Sequence, residues 1–349
     1  MAADLSVRDI ALDPEWLPHA FEGDGQRLTS VFVPKATRAS LLFLSDGHYR
    51  GEFRKETFPA AAVASEVVVA GQAPLHFIFN TSFCCSTLLA KALEVPGLSA
   101  SLREPNILVD VAERLIEAGT GQNALQLELA LRLLERPLTR SETIIVKPSN
   151  FANRLLEPVL ALREGSRAVL LYSDAGTFLR SVLKRGLLAR INARRLYQNL
   201  VAWTCLQFGF SDCETFQQSD LQIASLAWLM QIAHFQSIVD RFGPERVMVV
   251  DAADLLSEPA TTLRRVQSLF ELNLNDRQVS EIVGGPAFSK HSKSSTVDYS
   301  PSARERDHEA LMQVHGEELR MVLQWLDAVA AHLGVSLRPA TTSAPTSER

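Results

Sequence analysis

The chain has 349 residues, 46% of them hydrophobic and 21% charged, with a formal net charge of −5. This is the make-up of a globular protein long enough for one large domain or two small ones. The acidic balance argues against a general nucleic-acid binder, which carries a basic excess. No apolar run approaches the about 18 residues of a membrane span. The opening MAADLSVRDIALDPEW has early acids and no apolar signal core, so a cytoplasmic protein is expected. Cys84, Cys85, Cys205 and Cys213 form no CxxC pair and no Cys/His cluster, so neither a disulfide framework nor a structural metal is expected.

In chain order, RLTSVFVP (27–34) and SLLFL (40–44) read as short strands, with DGHYR (46–50) as a turn. ETFPAAAVASEVVVA (56–70) suits helix and strand equally. Residues 1–70 are expected to be an N-terminal extension or small subdomain. From residue 75 short apolar runs recur at LHFIFN, LSASL, TIIVK, RAVLLY and RVMVV, with helical patterns between them. Runs apolar on both faces suit parallel strands covered by helices, and their alternation with helices predicts an α/β fold with a central parallel sheet. Residues 218–242 carry a stripe of Leu221, Ala224, Trp228, Phe235, Ile238 and Phe242, stopped by Gly243–Pro244. Ser302 with Glu305 forms a capping box for a last helix, whose leucines face a core up to Gly334. The main domain is expected over 71–335, followed by a disordered Pro/Ser/Thr tail at 336–349.

The stretch LHFIFNTSFCCSTLLAKAL (75–93) is a strand, a turn of small residues and a helix. A helix start offers unpaired N–H groups and partial positive charge to an anion. The hydroxyls of Ser86 and Thr87 would sit in the first helical turn. The alternative is structural: Ser86 caps the helix and the cysteines fill space beneath it. There is no glycine or lysine of the GxxxxGK[ST] kind.

STLL at 86–89 resembles the phosphosulfate loop of the sulfotransferases, with Phe83 where that family has a basic residue and Cys85 where it has glycine. Further along, Glu104 in SLREPN resembles the family's general base. Lys147 in TIIVKP resembles the lysine that faces the bridging oxygen of the donor. In RAVLLYSDAGTFLRS, Ser173 stands where the family has the arginine of its 3′-phosphate segment, and Ser181 matches the serine. RVMVVDAADLLSEPATTLRRVQSLFELNL (246–274) resembles a conserved-order strand–turn–helix block, with Asp254–Leu255, Glu258–Pro259 and Thr262–Leu263 in register. Lys290, His291, Ser292 and Lys293 resemble the late basic loop that closes over the donor. The same run also suits a solvated basic loop.

The resemblance spans roughly residues 75–300, and it rests on motif order more than on any one motif. It implies a P-loop-NTPase-like three-layer sandwich. It also implies transfer of a sulfuryl group from 3′-phosphoadenylyl sulfate (PAPS) to a hydroxyl or amine of a small-molecule or peptide acceptor, without a metal. The roles it implies are Glu104 as base and Lys147 at the leaving group. Ser82, Phe83, Cys84, Cys85, Ser86 and Thr87 would lie around the phosphosulfate, with Ser173, Ser181 and Lys290–Lys293 around the 3′-phosphate. An acceptor pocket is implied within 106–140 and 186–220, which include Trp203, Phe208 and Phe210. The missing charges at Phe83 and Ser173 motivate an alternative, a catalytically inactive nucleotide-binding or regulatory protein of the same fold. A magnesium-dependent phosphotransferase is a third reading, disfavoured by the absent Walker lysine.

Overall fold

A computed structural model describes residues 5–49, 53–67, 72–117, 120–139, 142–204, 206–289 and 301–339. The chain divides into two compact units. One holds Met1–Phe79, Thr87–Ala168 and Phe270–Asn273, and the other Asn80–Ser86, Val169–Leu269 and Leu274–Arg349.

The first unit opens with α1 (Val7–Leu12), whose start is closed by a reciprocal capping box between Ser6 and Asp9. An antiparallel sheet follows, ordered β1 (Trp16–Glu22), β2 (Arg27–Phe32) and β3 (Lys55–Pro59). The β1–β2 turn places Gly25 at φ 90°, where the Gly25 amide donates to the Glu22 carbonyl at 2.9 Å. Helix α2 (Lys35–Arg38) lies between β2 and β3, and α3 (Ala60–Val67) follows β3. The ambiguous stretch is thus strand first and helix second over 56–67, with 68–70 outside the described residues. Pro59 ends the strand, and the alanine run after it has the highest helix propensity.

SLLFL departs from expectation, because it is not a strand. Its apolar side chains are buried, at 9% exposure or less for Leu41, Phe43 and Leu44. Its backbone groups go to Arg103 and Asn106 instead of a sheet ladder: Leu44 N–H donates to the Arg103 carbonyl at 2.8 Å, and Asn106 N–H donates to the Leu44 carbonyl at 3.1 Å.

The unit continues with β4 (Leu75–Asn80), α4 (Ser86–Ala92), β5 (Ser99–Arg103), α5 (Asn106–Glu117), α6 (Thr120–Leu134), β6 (Thr143–Lys147) and, after a 3₁₀ turn at Asn150–Leu155, α7 (Leu156–Leu162). Strand β6 pairs in parallel with both β4 and β5. Phe77, Ile78, Phe79, Leu89, Ile145 and Val146 are fully buried, as expected of strands covered on both faces.

In the second unit β7 (Ala168–Tyr172) leads into α8 (Ala175–Arg185), α9 (Leu187–Val201), α10 (Asp212–Gln217) and α11 (Asp220–Phe242). Helix α11 starts at a Ser219–Gln222 capping box and stops at Gly243, at φ 72°. Next come β8 (Val247–Asp251), α12 (Ala252–Ser257), α13 (Pro259–Leu269), α14 (Asp276–Val283), α15 (Pro286–Ser289) and α16 (Pro301–Leu333). Trp228, Phe178 and Phe235 are its largest buried side chains.

The five-stranded sheet runs β5-β6-β4-β7-β8, so the chain is the expected α/β protein with a central parallel sheet flanked by helices. Every run from LHFIFN to RVMVV is one of its strands. The side chains of Ser302 and Glu305, and the tail from residue 340, lie outside the described residues. Among the described residues no helix is long and apolar enough to cross a membrane.

Candidate functional site

The motif residues follow the carboxyl ends of strands. The 81–85 loop follows β4, Glu104 follows β5, Lys147 ends β6, and Ser173 follows β7. In open α/β sheets this is the edge at which ligands bind.

The loop after β4 is strained. Ser82, Phe83 and Cys85 take φ values of 70°, 52° and 62°. Side chains with a Cβ avoid this left-handed region at a cost of about 1–3 kcal/mol each. Asn80 begins the turn by accepting the Ser82 N–H on its Oδ1 at 3.1 Å. Cys84 is fully buried, Ser86 and Thr87 are buried in the start of α4, and Ser82, Phe83 and Cys85 are half-buried. Cys85 therefore carries a backbone conformation that suits glycine, at the position where the family pattern has glycine. Thr81, before the turn, is fully buried, and its hydroxyl has no partner among the described residues.

Phe83 meets both an aromatic ring and a cation. Its ring lies 5.8 Å from that of Phe178, and the Arg185 guanidinium sits 5.7 Å from its centroid. A cation thus stands at the loop although residue 83 itself is uncharged. Arg185 lies with Lys184 in the last turn of α8.

In the first unit Glu104 and Lys147 form an ion pair through Oε1 and Nζ. The lysine is buried at 3% exposure, and its ammonium lies 5.5 Å from the centre of the Phe43 ring. Glu104 has φ 52°, and its N–H donates to the Lys147 carbonyl at 2.6 Å. The two residues picked out separately in sequence are therefore joined by backbone and side chain alike. A paired carboxylate and ammonium can accept a proton and stabilise developing negative charge.

Ser173 is 1% exposed and its Oγ has no partner among the described residues, while its carbonyl accepts the Trp228 indole N–H at 2.9 Å. Ser181 donates its hydroxyl within its own helix, to the Thr177 carbonyl at 2.9 Å. Asp174 caps α8 by accepting the Thr177 N–H. The rings of Tyr197, Phe208, Phe210 and Trp325 stand in a stacked row, at successive centroid distances of 6.4, 6.1 and 6.3 Å. Trp203 meets His234 edge-on at 4.9 Å. Lys290, His291, Ser292 and Lys293 lie outside the described residues. Sequence reasoning missed Phe43 and Trp228 as neighbours of these groups, and nothing in their local pattern sets them apart from core residues. Asn80 had a signal: an asparagine ending a strand ahead of a small-residue turn.

No family model matches the chain, and no curated protein does. Solved structures do. A sulfotransferase domain from the curacin biosynthetic pathway is 12% identical, with 77% of this chain and 100% of that chain covered, at a TM-score of 0.38. A sulfotransferase from Alicyclobacillus acidocaldarius is 12% identical over 76% of this chain and 98% of that one, at 0.40. Sulfotransferase STF1 from Mycobacterium tuberculosis is 13% identical over 67% of this chain and 81% of that one, at 0.42. Each of these three solved structures is that of a sulfotransferase or a sulfotransferase domain.

Proposed function

We propose that the chain is a sulfotransferase that moves a sulfuryl group from PAPS to a hydroxyl or amine of a small-molecule or peptide acceptor. The observation that carries this reading is the loop after β4, where three non-glycine residues are held at positive φ just before the STLL that resembles the family's donor loop. Such strain persists where the surrounding structure holds it, and it gathers at ligand sites. Main-chain N–H groups in turns of this kind form concavities for anions. The buried hydroxyls of Thr81 and Ser173, without a partner among the described residues, support spare hydrogen-bonding capacity there.

In the reaction, the acceptor oxygen or nitrogen forms a bond to sulfur as the bond from sulfur to the bridging phosphate oxygen breaks. Glu104 takes the acceptor's proton, and Lys147 faces the negative charge left on 3′,5′-ADP. Residues 82–87 hold the 5′ end of the donor, with Arg185 supplying the charge that Phe83 lacks. Ser173, Ser181 and the Lys290–Lys293 segment serve the 3′-phosphate.

Binding of 3′,5′-ADP, read as a rise in melting temperature, tests the reading. Arg185→Ala is expected to weaken that binding roughly tenfold. Glu104→Gln is expected to bind normally and to lose about 100-fold or more in sulfuryl transfer. No thermal shift at saturating 3′,5′-ADP removes the reading. Binding without transfer from PAPS selects the alternative, an inactive nucleotide-binding relative, which the uncharged Phe83 and the buried Ser173 favour.

A further inference from the structure

The N-terminal region reaches Glu104 and Lys147 directly. Leu44 is bonded to the residues on either side of Glu104, accepting from Asn106 N–H and donating to the Arg103 carbonyl. The Arg103 guanidinium, 2% exposed, donates to the carbonyls of Leu41 at 2.8 Å, Ala39 at 3.2 Å, and Arg38 and Leu42 at 3.4 Å. It also pairs with Glu94. Residues 38–44 are thereby stitched to the end of β5 by one fork of donors and two main-chain bonds.

That stitching delivers the Phe43 ring to the Lys147 ammonium, 5.5 Å from centroid to Nζ. The His48 ring meets Phe43 edge-on at 4.7 Å, and His48 Nδ1 is hydrogen-bonded to Ser45 Oγ at 3.2 Å. An ammonium at 3% exposure has given up nearly all its water, and a carboxylate on one of its three donors replaces only part of it. Among the described residues the negative face of the Phe43 ring is a further partner, and that attraction strengthens as water is removed.

We propose that residues 41–48 are a working part of the reaction centre, with Phe43 as a positioning residue that holds the Lys147 ammonium beside Glu104. Residue 43 thereby fixes where the Lys147 ammonium stands. The consequence for the reaction rests on the sulfotransferase reading; the hold on Lys147 does not.

The test measures acylation of individual lysines in the full chain by an N-hydroxysuccinimide ester, read by mass spectrometry, with the exposed Lys184 of α8 as internal reference. Phe43→Leu removes the ring and keeps the apolar bulk, Phe43→Tyr keeps the ring, and Leu41→Ala trims a neighbouring apolar side chain while keeping the Leu41 carbonyl that accepts from Arg103. Lys147 is expected to react roughly tenfold faster, relative to Lys184, in Phe43→Leu. In Phe43→Tyr and Leu41→Ala its rate should stay at the wild-type value. Unchanged protection in Phe43→Leu overturns the proposal, as does equal exposure in Leu41→Ala. A parallel titration of the wild type with 3′,5′-ADP reports on the sulfotransferase reading alone: its failure leaves the lysine result standing, and its success does not rescue an unprotected Lys147.

Discussion

Cys85 and Phe83 show how much of the site lives in single backbone angles. A cysteine at φ 62° and a phenylalanine at φ 52° each hold a conformation that glycine would take at little cost. Replacing Cys85 by glycine relieves the Cβ clash but frees the unfolded chain, so the two effects oppose. With the left-handed penalty the larger of the two, Cys85→Gly is expected to raise unfolding stability by about 1 kcal/mol, read as a higher urea midpoint at unchanged slope. A fall in stability would mean that the side chain contributes more by packing than its backbone loses by strain. The residue types of this loop were legible in sequence, as were Glu104 and Lys147. Their angles and their pairing were not, because φ at a turn and contact between residues 104 and 147 are set by how distant segments pack.

At the scale of elements, the strands of the parallel sheet could be read directly, because a strand buried on both faces is a short unbroken apolar run. The same rule failed at SLLFL, where the run is just as apolar but its backbone partners are Arg103 and Asn106. Burial explains both cases; only the hydrogen-bond partners tell them apart. Arg136 makes a comparable tie. It follows α6 at 4% exposure, and its guanidinium donates to the carbonyls of Ile10 at 2.6 Å, Ala11 at 3.1 Å, Asp13 at 2.9 Å and Trp16 at 2.5 Å. Thus α1 and the start of β1 are anchored by one side chain. Arg136→Leu strands these acceptors away from water, and a loss of about 3 kcal/mol in unfolding free energy is expected. Chemical denaturation would show it, and a cost under about 1 kcal/mol would mean that water reaches the freed carbonyls.

Over the whole molecule, a buried histidine couples folding to pH. His76 on β4 is 3% exposed, stacks on Phe270 at 4.9 Å, and accepts the Arg167 N–H on Nδ1 at 3.2 Å. Burial, helped by the nearby Arg167 charge, pushes its pKa from the usual 6.5 down to about 4. The folded state therefore holds the ring neutral where the unfolded state would protonate it. The stability this represents is complete above pH 6.5 and declines as the pH falls toward 4, by at most about 3 kcal/mol. Urea unfolding from pH 7.5 to 4 should show that decline, and His76→Gln should flatten it. An equally steep decline in the variant would assign the effect to other groups.

Taken alone, the sequence determined the α/β class, the five strands of the parallel sheet, and the order of motifs that resembles a sulfotransferase. Those features are local: apolar runs, helix stops and short spacings are written in neighbouring residues. Tertiary structure decided the rest. It set φ in the loop after β4, brought Arg185 to the ring of Phe83, joined Glu104 to Lys147, and carried Phe43 from the N-terminal region onto the lysine. Each of these depends on contacts between segments far apart in the chain, and such contacts form only when burial of apolar surface offsets the entropy of closing the loops between them.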